Sequence, residues 1–134
     1  MNDNAVPGGP LIHTTNARTE GNKIILDAPV ASGNSHPYFP DVDGSPNDPA
    51  AYAPTIRRWT FDLDSASDTW EEEILFNGMK VTTFVRMDDR FLTRPFRYSF
   101  MLMNDPSLPV AGELADTLAV RISNAIYRFD HRKW

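Results

Sequence analysis

"TIRRWTFDLDSASDTWEEEILF" (Thr55 to Phe76) decides the fold class. In its first half Ile56, Arg58 and Thr60 alternate with Arg57, Trp59 and Phe61, a period of two that sends successive side chains to opposite faces of a strand. "DSASD" supplies the small and polar residues of a turn. "TWEEEILF" (Thr69 to Phe76) then returns as an antiparallel partner. Reading outward, the same pattern recurs in both directions. "KIILDA" (Lys23 to Ala28) is a strand with the turn "EGN" before it, and "MKVTTFVRM" and "FRYSFMLM" are two more, separated by "DDRFLTRP". Strands are therefore predicted over Lys23–Ala28, Ile56–Leu63, Trp70–Phe76, Val81–Arg86 and Phe96–Met103. "LAVRISNAIYRFD" (Leu118 to Asp130) is strand-like with a break at Ser123 and Asn124. Helical periodicity is confined to one weak stretch, "AGELADTLA".

The segment from Pro29 to Pro54 holds six prolines and two glycines, which leaves little room for regular structure. It reads as a long loop or a flap. Short strands joined by turns mean a sandwich, a barrel or propeller blades. A propeller blade takes roughly 40–45 residues, so 134 residues form one domain (1–134) of about two to three blades. Closure normally needs at least four, and the sequence looks like part of a ring.

Composition narrows function by exclusion. A formal net charge of −5 argues against a nucleic-acid or anionic-membrane binder, which needs a basic face. Zero cysteines rule out disulfides, thiolate metal sites and thiol catalysis. That fits a cytoplasmic setting, as does the absence of a secretory signal in "MNDNAVPGGP". No apolar run approaches the roughly 18 residues of a membrane span.

Three histidines are present, His13, His36 and His131, and none pairs with another at the spacing of a local zinc motif. His131, in "FDHRKW", reads as solvated. His13 lies between Ile12 and Thr14, where it is either a half-buried strand residue or a ligand aimed into a cavity. "DVDGSPND" suggests a calcium loop. With Asp41 as first ligand, however, Pro46 falls where glycine is needed and Tyr52 where glutamate is needed. The "EEE" run of Glu71 to Glu73 reads as a strand edge in water.

Three motifs in order change the weight on His13. "HTTNARTEG" resembles the H-x-x-N-A-x-E-E segment of the carotenoid cleavage oxygenases. "LDAPVASGNSHPYFPDVDGSPNDP" followed by "IRRWTFDL" looks like their lignostilbene-cleaving bacterial branch. "RMDDRFLTRPFRYSF" is similar to the family stretch R-x-D-x-R-x-x-x-R-P-Y-R-Y, and "IYRFDH" resembles the strand after it. The resemblance implies a seven-bladed β-propeller with one Fe(II) on its axis, held by histidines from separate blades. It also implies O₂-dependent cleavage of a conjugated carbon–carbon double bond to two carbonyl products, in a hydrophobic stilbene, phenylpropanoid or carotenoid.

In that frame His13 takes the place of one iron ligand, and neutral imidazoles suit Fe(II). Thr83 stands where the family often has a second-shell glutamate, and brings no negative charge to the outer acceptor position. The first acid after N-A-x is replaced by Thr19, leaving Glu20. His36 stands near the expected substrate path as a possible lining residue, with a loop position in solvent as its plainer reading. The resemblance covers only part of a family member and lacks the other ligands. The chain therefore reads as a fragment, inactive alone, that needs the missing propeller segments in trans. The alternative is a non-catalytic β module that associates with another chain through its open edges. Arg94 and Arg97 are expected to pin loops by charge-assisted hydrogen bonds to carboxylates such as Asp88 or Asp89.

Overall fold

The computed structural model describes residues 13–31, 39–41, 43–46, 54–65, 69–76, 80–105, 107–108 and 124–132. Seven strands occur among them: β1 Asn16–Glu20, β2 Lys23–Val30, β3 Thr55–Asp62, β4 Glu71–Phe76, β5 Lys80–Met87, β6 Tyr98–Asn104 and β7 Ala125–Asp130. They form a four-stranded sheet in the order β1-β2-β3-β4 and a three-stranded sheet in the order β5-β6-β7. Every neighbouring pair is antiparallel. A sheet whose strands follow sequence order is the unit of a propeller blade, so the expected all-β class holds.

The hairpin read from Thr55 to Phe76 is present, with Trp59 opposite Glu72 and a register shift at Ile56/Arg57. The loop assigned to Pro29–Pro54 begins later than expected. Pro29 and Val30 pair with Ile56 and Thr55, so β2 runs two residues past Ala28 and the long connection closes the β2–β3 hairpin. β1 was not expected from the sequence; it turns back at Gly21, whose φ of 59° suits glycine. The "AGELADTLA" stretch and residues 118–123 lie outside the described residues. The would-be calcium loop contains an Asx turn, in which Asp43 accepts from the Ser45 N–H and hydroxyl.

Pairing and alternation assign the faces. Asn16, Arg18, Ile25, Asp27, Ile56, Arg58 and Leu75 share the face of the first sheet that meets the second. There Ile56 and Leu75 pack with Val85, Met101, Met103 and Phe129 in one buried cluster. The opposite face carries Ala28, Val30 and Trp59, also buried, and the Trp59 indole N–H donates to Glu72 at 2.8 Å. One member of the "EEE" run is thus tied down: Glu72 also accepts from Arg57 at 2.6 Å. Several large apolar side chains of the second sheet point to its far face. Phe84 and Phe100 are exposed there, and Ile126 is 75% exposed.

The arginine expectation holds for Arg97, with a different carboxylate from the two named. Asp88 accepts from Arg90, which holds its carboxyl down at about 2, and Asp89 accepts from Arg86 at 3.2 Å. Both acids are taken by nearer arginines, so Arg97 instead forks onto Asp130 at 2.9 and 3.1 Å. Tyr98 faces Asp130 across β6 and β7, which brings the preceding guanidinium within reach. Arg94 serves the fold through its carbonyl, which accepts from Asn16.

Candidate functional site

His13 lies three residues before β1, exposed, with its ring 5.3 Å from that of Phe84 on β5. The first sheet thus delivers the histidine to the second sheet's outermost strand, one residue from position 83. Thr83 itself lies within β5, with its side chain outside the described detail, and His36 lies outside the described residues. A solvent-accessible imidazole is the right donor type for Fe(II). Among the described residues no group of three or more His, Asp or Glu side chains converges on a common point.

Behind this position the two sheets are joined by polar groups that sequence reasoning missed. Asp27 is fully buried and accepts from Arg58 at 2.7 and 3.0 Å. Arg18 donates to the same carboxylate at 3.1 Å. His131 was expected in solvent, but it is 8% exposed. Its ring packs on Phe96 at 4.3 Å and edge-on to Phe129 at 4.7 Å. Two aromatic neighbours and the strand before it draw the imidazole inward, because the ring's apolar area outweighs the preference of its nitrogens for water. Nε2 lies 2.9 Å from the Ser99 hydroxyl. Nδ1 lies 3.8 Å from Asp27 Oδ2, without a hydrogen-bond partner among the described residues.

Ser99, His131 and Asp27 follow the order of a nucleophile, base and acid, but burial decides against catalysis. Ser99 is 1% exposed, leaving no place for a substrate carbonyl, and the carboxylate is committed to two guanidinium groups. The network is a joint between sheets. Burial pushes the His131 imidazole down to about 4, Asp27 opposes that, and Arg58 and Arg18 reinforce it. In the unfolded chain histidine titrates near 6.5. Between these values the unfolded state binds the extra proton. Stability is therefore intact above about pH 6.5 and is lost as pH falls toward 4. Urea midpoints measured from pH 8 to 4 should drop more steeply for the native chain than for His131→Gln; parallel curves would contradict this.

A shallow hollow of about 540 Å³ lies beside the joint, lined by Phe91, Phe96, Tyr98, Phe100, Arg97 and Arg132 among others. It sits on the second sheet and does not include His13. Among the described residues no helix is long and apolar enough to cross a membrane.

Comparison with known proteins adds a consistent set of likenesses. Residues 3–133 match the family described as retinal pigment epithelial membrane protein. Lignostilbene-alpha,beta-dioxygenase isozyme III of Sphingomonas paucimobilis is 40% identical over 119 residues, which is 89% of this chain and 24% of that protein. Isoeugenol monooxygenase of Pseudomonas putida is 32% identical over 92% of this chain and 25% of its own length. Among solved structures, Pseudomonas brassicacearum lignostilbene dioxygenase superposes with a TM-score of 0.78 at 32% identity, covering 94% of this chain and 26% of that one. Cobalt-substituted Synechocystis ACO gives 0.63 at 26% identity, over 94% and 23%. The chain spans about a quarter of the length of the relatives it matches.

Proposed function

Because the chain belongs to the retinal pigment epithelial membrane protein (RPE65) family, we propose that it is a segment of an Fe(II)-dependent oxygenase that cleaves a conjugated carbon–carbon double bond with O₂. Its two sheets are part of the seven-bladed β-propeller of the carotenoid oxygenases. In this reading His13 supplies one of the imidazoles that hold the iron, and the remaining ligands belong to other blades. The iron, when bound, supplies the oxygen chemistry; this chain's part is to hold one donor and one wall. The observation that carries the reading is His13 itself, an exposed imidazole at the head of the H-x-x-N-A motif, beside the strand that bears position 83. A stilbene or phenylpropanoid substrate is favoured over a carotenoid, in line with the names of the two similar bacterial enzymes. The absence of cysteine fits a cytoplasmic enzyme. His36 as a substrate-lining residue and Thr83 as an uncharged outer-shell neighbour remain part of the proposal.

A non-catalytic module that associates with another chain is the second reading. Phe100 and Ile126, exposed on the far face of the second sheet, favour it, since apolar side chains there suit contact with another chain. One experiment separates the two. The purified 134-residue chain is assayed for iron and for aldehyde release from a stilbene, isoeugenol and an apocarotenoid. The same assays follow on a chimera in which this chain replaces the matching segment of the P. brassicacearum lignostilbene dioxygenase. The chain alone should hold far less than one iron and release no product, because a single donor cannot offset the ordering of a whole site. The chimera should do both. Stoichiometric iron with turnover from the chain alone would overturn the segment reading, and a folded, iron-free chimera would favour the non-catalytic module.

A further inference from the structure

Asn16 is 2% exposed, and its amide engages three backbone groups of one turn. Nδ2 donates to the Arg94 carbonyl at 3.0 Å and to the Phe91 carbonyl at 3.4 Å. Oδ1 accepts the Thr93 N–H at 3.1 Å. That turn comes after a short 3-10 helix, Asp89–Phe91, that follows β5, and it holds Thr93 at φ 63°, a left-handed conformation that a β-branched residue adopts only when its surroundings enforce it. The residue before Asn16 is fixed as well, since the Thr15 N–H donates to the Asp27 carbonyl at 2.8 Å. The chain leading back to His13 is thus anchored to β2 and to the turn after β5. His13 in its turn rests against Phe84, on the same β5 that leads into that turn. Two contacts therefore join the head of β1 to one continuous segment, residues 84–94.

We propose that Asn16 is a positioning residue that fixes the His13 imidazole against β5 by clamping the turn at residues 91–94. The proposal rests on the reading of His13 as a metal donor, but its geometric core does not. Asparagine suits the task because one planar group must present two N–H bonds and one acceptor. Aspartate keeps the acceptor for Thr93 but turns a negative oxygen toward two carbonyls, and serine is too short to reach all three groups.

The test uses nuclear magnetic resonance on the chain itself. In the native chain the His13 ring protons should show nuclear Overhauser contacts to the Phe84 ring and an upfield ring-current shift. Asn16→Asp and Asn16→Ser should lose both signals while the rest of the spectrum stays dispersed. Val30→Ala, which removes two buried methyl groups on the opposite face of the first sheet, should keep them despite its own loss of stability. Should Asn16→Asp fail to fold, the milder Asn16→Ser carries the comparison. A folded Asn16 variant with the His13–Phe84 contacts unchanged would overturn the proposal, and so would their loss in Val30→Ala. In the chimera, Asn16→Asp should also release iron about 10-fold faster or more, the scale typical of outer-shell changes. If His13→Ala leaves iron content unchanged, the ligand reading falls while the magnetic resonance result still decides the clamp.

Discussion

Replacing His13 by alanine in the lignostilbene dioxygenase chimera is expected to reduce double-bond cleavage by more than about 100-fold. Losing even an outer-shell partner of a metal ligand costs about 10–100-fold in affinity or activity, and a direct donor is worth more than its support. The substitution is safe for the fold, because His13 is exposed and precedes β1, and its described ring contact is one face against Phe84. Loss of activity should therefore come with loss of iron and, once both proteins are stripped of metal, with an unchanged unfolding midpoint. Aldehyde release, bound iron and thermal unfolding, measured on one preparation, check all three. Full activity in the variant would remove His13 from the iron shell.

Asp27→Ala should destabilise the chain by about 3–5 kcal/mol, the usual loss when one partner of a buried ion pair is removed. The cause is less the missing attraction than what stays behind. Arg18 and Arg58, both largely buried, reach this carboxylate from β1 and β3; without it Arg18 keeps its pair with Glu20, while Arg58 loses its hydrogen-bonded carboxylate partner in a mostly buried site. Asp27→Asn keeps the shape but leaves the same positive charge, so it should fall close to the alanine variant. Replacing exposed Arg97, whose pair with Asp130 lies near water, should cost no more than about 1 kcal/mol. Urea unfolding of the three variants gives the ranking. A loss below about 1 kcal/mol for Asp27→Ala would mean that the arginines find water.

Much of the strand pattern could be read directly, because alternation and turn residues are local properties. β3, β4, β5 and β6 fall within two residues of expectation. β1 was hidden, since "NARTE" has a single apolar residue, and the side chains it turns inward are Asn16 and Arg18. The joint was hidden for the same reason: Asp27, Arg58, Ser99 and His131 carry the signature of solvated residues. They are buried only because strands far apart in sequence bring their charges and rings together. Arg97 shows the limit from the other side. Its sequence neighbours Asp88 and Asp89 were plausible partners, yet arginines closer along the chain reach them first. The position of His13 was suggested by a motif and not by spacing, as no second histidine stands near it in sequence.

The apolar far side of the second sheet has a practical consequence. Phe84, Phe100 and Ile126 lie on one side of a twisted ribbon whose outer edges, β5 and β7, have no further strand beyond them among the described residues. Such a surface is a template for a second copy as much as for a proper neighbour. Self-association is therefore expected to compete with this chain's refolding. It grows with concentration, whereas formation of the joint around Asp27 does not, so crowded expression favours the wrong encounter and dilution favours the right one.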